Sequence, residues 1–466
     1  MSANIQDING SVQSGYFPVA RVGFDVPLVI GITGERFLLS IGSGVNGLII
    51  KGILRETIYN IVINVTGSVY AYSVVGSTIT FTVPTTHTIR GLIADFAVNG
   101  GTANTLVTLT AATTGAGTLS SMASTPTAGI AEYSNIQNIS QLQYYYDITD
   151  LEYVIVNNML SGPDTHITNL FLLDVKSTLD IYGVPTQATR DLIKANDLGD
   201  WYMPLVGSSS LSVISGINQY ISTVKRLMIA VTDTVADLAS VQGNIIYVVH
   251  PTAQKDSHPE ASWAAKALVP VPGSSSWKWV KSLYNQTPNL TSDLTALLNV
   301  RTAQGNSYQS QGGISFMNDG LVNNVGASSS NPDYIDSHML KDWMVLNMQA
   351  DLLSLELSLV AQGQKLNYDD KGIGQVVSTI ANRILIAARS GAIAKVAAGN
   401  TSQANASYDG KYRFNVTAPT RASIEANSPT DIVQRILKNV SFWYIQSGAI
   451  EKITFSGTEL ITEPAA

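Results

Sequence analysis

Between residues 201 and 268 the chain alternates between two periods. Segments 201–206, 227–231 and 245–249 are short apolar runs of strand length, and 209–224, 234–241 and 258–268 read as helices between and after them. Strand–helix alternation with such short connections is met by a mostly parallel sheet with helices on its faces. This part of the chain is therefore expected to build an α/β layer.

The flanking sequence changes character on both sides. Strand-like runs at 24–32 and 37–41 precede a stretch rich in Thr, Val, Gly and Ser. There 59–65, 69–75 and 77–83 alternate as strands, 88–98 reads as a short helix and 105–110 as a further strand, with 111–127 as an exit linker. Segment 130–197 carries a mixed helix and strand signal. Beyond the loops at 270–276 and 305–333, residues 338–361 read as a long helix. Trp343, Leu346, Ala350, Leu353 and Leu357 share one face, with Met344, Met348, Leu352, Leu355 and Leu359 beside it, so cover is expected on more than one side. A second helix over 373–390 turns Ile373, Val376, Val377, Ile380 and Ile384 inward and Arg389 outward, and strands follow at 412–416 and 440–445.

The fold class expected is α+β and α/β, multidomain. An N-terminal arm (1–20) and joining strands (21–45) lead to an inserted β-rich domain (46–125) and an α/β domain (126–330). A C-terminal core of helix and sheet layers (331–446) and a C-terminal strand arm (447–466) follow.

Composition bears on function. Only 13% of the 466 residues are charged and 45% are hydrophobic, against about 25% charged in an ordinary soluble domain. So little polar cover points to surface that is buried against partners. The net charge of −7 argues against a nucleic-acid binder, and the absence of cysteine excludes disulfides and thiolate metal sites. Neither a secretion signal nor an uninterrupted apolar run of ~18 residues is visible; 343–360 is broken by Asp351 and Glu356. A soluble protein made in the cytoplasm, without membrane insertion, is expected.

The chemical motifs are weak. Gly42-Ser-Gly-Val-Asn-Gly47 matches the dinucleotide fingerprint, but Leu48-Ile-Ile-Lys-Gly52 does not start a helix and no acidic residue follows at ~20 positions. His250 and His258 lie eight apart in a Pro-containing loop and read as surface residues rather than as a zinc site. Ser208-Ser-Ser210 reads as a helix N-cap, and Asp369-Asp370 as a solvated loop before a helix rather than an acid–base pair. No catalytic residue, cofactor or metal is expected. Between Lys365 and Lys452 eleven basic residues face six acidic ones, a local excess of +5 suited to an acidic partner.

Seven segments stand in a fixed order: Ile246-Tyr-Val-Val-His-Pro251, Ala261-Ser-Trp-Ala264, Pro272-Gly-Ser-Ser-Ser-Trp-Lys278, Tyr334-Ile-Asp336, Lys341-Asp-Trp343, Lys365-Leu-Asn-Tyr-Asp-Asp-Lys-Gly372 and Ser447-Gly-Ala-Ile-Glu-Lys-Ile453. Their order over about 200–453 resembles the contractile tail sheath proteins of bacteriophages, the sheath-like family of myophages. Segment 46–120 is similar to the inserted β-domain of that family in character only, and 125–200 does not match. The resemblance implies a virion subunit assembled in the host bacterial cytoplasm into a helical homo-oligomer of hexameric rings. Its partners would be a tail tube protein, a baseplate and a tail terminator.

The resemblance also implies terminal arms that lend strands to neighbouring copies. Ile5, Ile8 and Val12 would lie in one arm, and Ile450, Ile453 and Phe455 in the other. The candidate tube-facing residues are Arg383, Arg389 and Lys395. The alternatives are another virion structural protein (a capsid, tube or adhesin subunit) and, with less behind it, an α/β enzyme resting on strand–helix alternation alone.

Overall fold

The structure is a computed structural model. It describes residues 24–448 apart from 33–37, 54–56, 58, 125–132, 143–144, 162–164, 166, 251–256, 282–293, 312–313 and 329. The chain is mixed α/β. Its first described strand, β1 (Pro27–Gly31), is buried along its whole length.

After β1 the chain builds a small separate body. Strands β2 (Leu38–Ile41), β3 (Leu48–Gly52), β4 (Asn60–Val65), β5 (Ala71–Val75) and β6 (Thr78–Val83) are followed by helix α1 (Ile89–Asn99) and strands β7 (Val107–Ala111) and β8 (Met122–Ser124). They form two sheets, β2-β3-β7 and β5-β6-β4-β8, with β4 and β6 parallel. Period-2 alternation puts Ile61, Ile63, Ile79, Phe81 and Val83 on one face, against Ile89, Leu92 and Phe96 of α1. Thr88 starts that helix by accepting a hydrogen bond from the Gly91 amide. The expected linker 111–127 contains β8, which pairs antiparallel with β4. Backbone pairing makes this strand, and its small residues hide it from side-chain pattern.

The chain then returns to β1 through β9 (Tyr133–Ile136), α2 (Leu151–Leu160), β10 (Leu170–Asp174) and α3 (Gln187–Ala195). It continues with β11 (Met203–Val206), α4 (Leu211–Ile221), β12 (Met228–Thr232), α5 (Asp237–Ser240) and β13 (Ile245–Val249). These strands make one six-stranded sheet in the order β13-β12-β11-β1-β10-β9, parallel throughout except at β9. The parallel strands thus lie in the doubly wound order 2-1-3-4-5. Leu28, Ile30, Val206, Met228, Ala230 and Tyr247 face α3 and α4 on one side of the sheet.

Val29, Leu172, Leu205, Ile229 and Ile246 face the other side. That side is covered by α2, by α6 (Pro259–Ala267), and by the C-terminal part of the chain. The elements after α6 are α7 (Leu294–Thr302), the hairpin β14 (Tyr308–Gln311) and β15 (Ile314–Met317), and the helices α8 (Ile335–Ala361) and α9 (Asp370–Arg389). The chain then forms α10 (Thr401–Asn405), β16 (Phe414–Thr417), α11 (Arg421–Asn427), α12 (Pro429–Gln434) and β17 (Ser441–Tyr444). Met339, Trp343 and Met344 of α8 and Ile380 and Ile384 of α9 lie in one core with Tyr202, Trp263 and the sheet. The α/β layer and the C-terminal helices therefore share a continuous interior.

Helix α8 is the one described helix long and apolar enough to cross a bilayer. Its first half is enclosed in this core, and Asp351 in its middle is ion-paired to α9.

Candidate assembly surface

A doubly wound sheet binds ligands where strand order reverses, beyond the C-terminal ends of its central strands. Here that place lies between β1 and β11, and a side chain of the protein stands in it. Glu152 of α2 is fully buried, and its Oε1 accepts a hydrogen bond from the Ile32 amide at 2.7 Å. A Cβ at Gly31 would lie 3.0 Å from Glu152 Cγ, and one at Gly207 would lie 3.3 Å from the Ile30 carbonyl and 3.4 Å from Glu152 Oε1. Both glycines therefore suit the close packing around this carboxyl group. Ser210 stands at the N-cap position of α4, but its side chain makes no capping bond. The turn is held instead by Ser208 Oγ, which accepts from the Ser210 amide at 3.0 Å.

The glycine-rich segment 42–47 joins the antiparallel strands β2 and β3, and Gly42 has a positive φ of 70°. A Cβ there would meet the Asn46 carbonyl at 2.3 Å. The glycines thus serve a tight strand-to-strand turn around a single 3-10 turn (Gly44–Asn46), and β3 rather than an α-helix follows.

The two histidines expected at the surface are buried: His250 is 2% exposed and His258 0%. His258 caps α6 in the left-handed region, with Nδ1 2.5 Å from Glu260 Oε1. Asn158 of α2 donates to the carbonyls of Ser257 (2.7 Å) and His258 (3.1 Å). The pair therefore ties α2 to α6. Among the described residues no group of three or more His, Cys, Asp or Glu is arranged to hold a metal. Asp369 is the N-cap of α9, accepting from the Gly372 amide at 2.8 Å, and Asp370 accepts from the Arg421 amide at 2.7 Å. Both acids are thus used in holding the start of α9.

The C-terminal region has a different character. Through Met348, α8 is buried; in its last turns Leu357 and Val360 are 55% and 67% exposed. The broad apolar surface read from the sequence is thus enclosed over the first half of the helix, and beyond it Leu359 is still buried while Leu357 and Val360 are not. Lys365 and Lys371 follow, exposed, at the connection into α9.

Of the three candidate tube-facing residues, Arg383 is not available: it is 5% exposed. Its Nε and Nη2 each donate to Asp351 at 2.7 Å, and its guanidinium lies 5.0 Å from the centre of the Trp343 ring. The helical spacing that placed it beside Arg389 omitted the acid on the neighbouring helix. Arg389 and Lys395 are exposed, and Lys395 is bridged to Tyr412, between Lys411 and Arg413.

Next to them β16 and β17 form a two-stranded antiparallel sheet. Burial pushes the Tyr444 phenol of β17 up to about 12. Past β17, Ala394 donates to the Ile445 carbonyl and Ser447 donates to that of Ala392, both at 2.9 Å. Among the described residues no strand pairs with the second edge of β17. The arm residues Ile5, Ile8, Val12, Ile450, Ile453 and Phe455 lie outside the described residues.

No family model and no curated protein matches this chain. Solved structures do. The anti-feeding prophage baseplate, 6-fold symmetrised, is similar at 13% identity and a TM-score of 0.48, over 72% of this chain and 89% of that one. The anti-feeding prophage helical sheath in its contracted state is similar at 12% identity and a TM-score of 0.48, over 71% and 88%. The sheath tail protein of Listeria innocua follows at 12% identity and a TM-score of 0.37, over 79% and 73%. At identities of 13% and below, the functional argument rests on the chain's own residues.

Proposed function

We propose that this chain is the structural subunit of a contractile tail sheath. Copies polymerise helically around a tail tube and contract to drive the tube through a host envelope. The observation that carries the reading is β17. It is a four-residue strand near the end of the described chain, paired on one edge by β16 and without a strand partner among the described residues on the other. Two strands alone are marginal in water, and an added strand supplies both hydrogen bonds and packing. The ordered segments over 200–453 support the same reading, as does the charge-poor surface.

In this reading the arms at 1–20 and 447–466 pair with neighbouring copies. A head-to-tail contact of this kind does not close on itself and generates stacked rings or a helix, with hexameric rings as the repeat. Arg389 and Lys395 face the tube, and the baseplate and terminator bind the two ends of the polymer in the virion. Contraction in this reading draws on assembly itself. Subunits move as rigid bodies between two packings while the arms stay threaded.

Negative-stain microscopy of the purified chain tests the reading. Long hollow cylinders are expected, and compact monodisperse particles at every concentration would overturn it. Charge reversal at Arg389 and Lys395 is expected to weaken tube-guided assembly and flatten its salt dependence.

A further inference from the structure

Side chains alternate along β17. Phe442 and Tyr444 pack against the core, while Ser441, Trp443 and Ile445 lie on the other side. Residues directly opposite in an antiparallel pair share a face. Thr417 stands across from Ser441 and Asn415 from Trp443, and the Ile445 amide donates to the Arg413 carbonyl at 2.9 Å. Trp443 and Ile445 are 41% and 40% exposed on this face. The second edge of the same strand has no partner strand among the described residues.

The charges at the Ile445 end of the face are mainly basic. Arg413 is there, with Lys411 and Lys395 on the adjoining backbone: the Val396 amide donates to the Lys411 carbonyl, and Lys395 is bridged to Tyr412. Among the described residues none of the three is ion-paired. Two acids stand near them. Asp409 Oδ1 accepts from the Lys411 and Tyr412 amides, at 2.9 and 3.0 Å. Asp336 Oδ2 accepts from Gln446 Nε2 at 3.5 Å, and alternation puts Gln446 on the core side with Tyr444.

The segment that follows in the sequence has the opposite character. Residues 449–466 carry Glu451, Glu459 and Glu463 against Lys452, and Ile453 and Phe455 alternate with Lys452 and Thr454. Its starting point is fixed beside the face, because the Ser447 amide donates to the Ala392 carbonyl. Gly448 then has a φ of 56°, the left-handed region in which a glycine turns the chain without strain. Trp443 lies ~17 Å back along the strand at 3.3 Å per residue, and residues 449–455 span up to ~23 Å when extended. Ile453 and Phe455 therefore reach it.

We infer that in the free subunit the acidic segment 449–466 folds back at Gly448 and docks on its own β17, covering Trp443 and Ile445, and leaves for the next copy only as the polymer forms. The inference rests on the sheath reading and adds its regulation. So short a tether presents the segment at an effective concentration of ~1 mM, so self-docking wins over a second copy in dilute solution. Where subunits are gathered on a tube, the same contact made between copies is a strand exchange. Until then the open edge of β17 is closed against stray pairing.

The chain has no cysteine, so engineered thiols report this contact without background. The full chain carrying Thr417→Cys and Ser456→Cys is treated in dilute solution with a short bis-maleimide, and the monomer is digested for mass spectrometry. A link within one chain is expected. Adding Glu451→Lys and Glu459→Lys is expected to cut its yield fivefold or more; both positions lie outside the described core, and an unchanged unfolding temperature checks that the body is intact. In concentrated, polymerised samples the link is expected to pass between chains and give a ladder under denaturing conditions. No link in the monomer, or a yield that the charge reversal leaves unchanged, overturns the self-docking and leaves the sheath reading standing. A charge-sensitive link in a chain that polymerises at no concentration keeps the docking and removes the sheath reading together with the exchange.

Discussion

Arg383 on α9 grips Asp351 on α8 through two parallel hydrogen bonds, Nε to Oδ2 and Nη2 to Oδ1, both 2.7 Å long. The side chains are 6% and 16% exposed, so the pair is largely desolvated. Removing Arg383 takes away the bidentate partner of a largely desolvated carboxylate, at a cost of ~3–5 kcal/mol. Arg383→Ala is therefore expected to lower the denaturant midpoint steeply. Reversal of the exposed Arg389 or Lys395 is expected to leave it nearly unchanged. Equal midpoints across the three variants would show that Arg383 is no more structural than its neighbours.

A second pair governs behaviour in acid. Burial pushes the Asp333 carboxyl up, but the His338 hydrogen bond and charge, together with Asn324 and Lys341, bring it below its ordinary value. His338 Nδ1 lies 2.9 Å from Asp333 Oδ2, and on the neighbouring acid Tyr202 donates to Asp342 at 2.9 Å. A carboxyl with a depressed folded value adds stability that is complete above its unfolded value, about 4. That stability is lost as pH falls through the folded value. Asp333→Asn is expected to flatten the decline in unfolding temperature below about pH 4 relative to the unsubstituted chain. Parallel curves for the two proteins down to about pH 2 would mean that Asp333 contributes nothing to acid sensitivity.

The proposed C-terminal arm can be tested apart from the described fold. Backbone bonds tie Ile445 and Ser447 to the 392–394 segment, so a chain ending at Ser447 keeps its described interior. Deleting 448–466 is expected to yield a monomer with an unchanged unfolding temperature that forms no long polymer by sedimentation or microscopy. Normal cylinders from that truncation would refute strand exchange by the C-terminal arm.

The parts legible in the sequence were those where side-chain period and burial agree. Strand β13 is apolar on both faces because helices cover both, and 245–249 reads directly as a strand with the bounds observed. Helix α9 carries its buried residues at helical spacing and declares itself equally. The misreadings share a cause, which is that the deciding partner was distant in the chain. Strand β8 exists through pairing with β4, some 60 positions earlier. His258 is interior because Asn158 of α2 holds its loop down. Arg383 was taken for a surface residue although a signal was present, since Asp351 in the middle of an apolar helix calls for a buried cation.

Glu152 offers the last test, because it separates a structural carboxylate from a catalytic one. Its Oε1 holds the Ile32 amide just beyond the C-terminal end of β1, and Gly31 and Gly207 both pack against it. Glu152→Ala leaves that part-buried amide without its acceptor and opens a void, at a cost of ~2–3 kcal/mol. Glu152→Gln keeps an acceptor oxygen in the same place and is expected to cost less. A structural role orders the denaturant midpoints as unsubstituted, then Gln, then Ala, and every variant that folds still polymerises. A variant of full stability that had lost assembly would instead place Glu152 in a working site at the centre of the sheet.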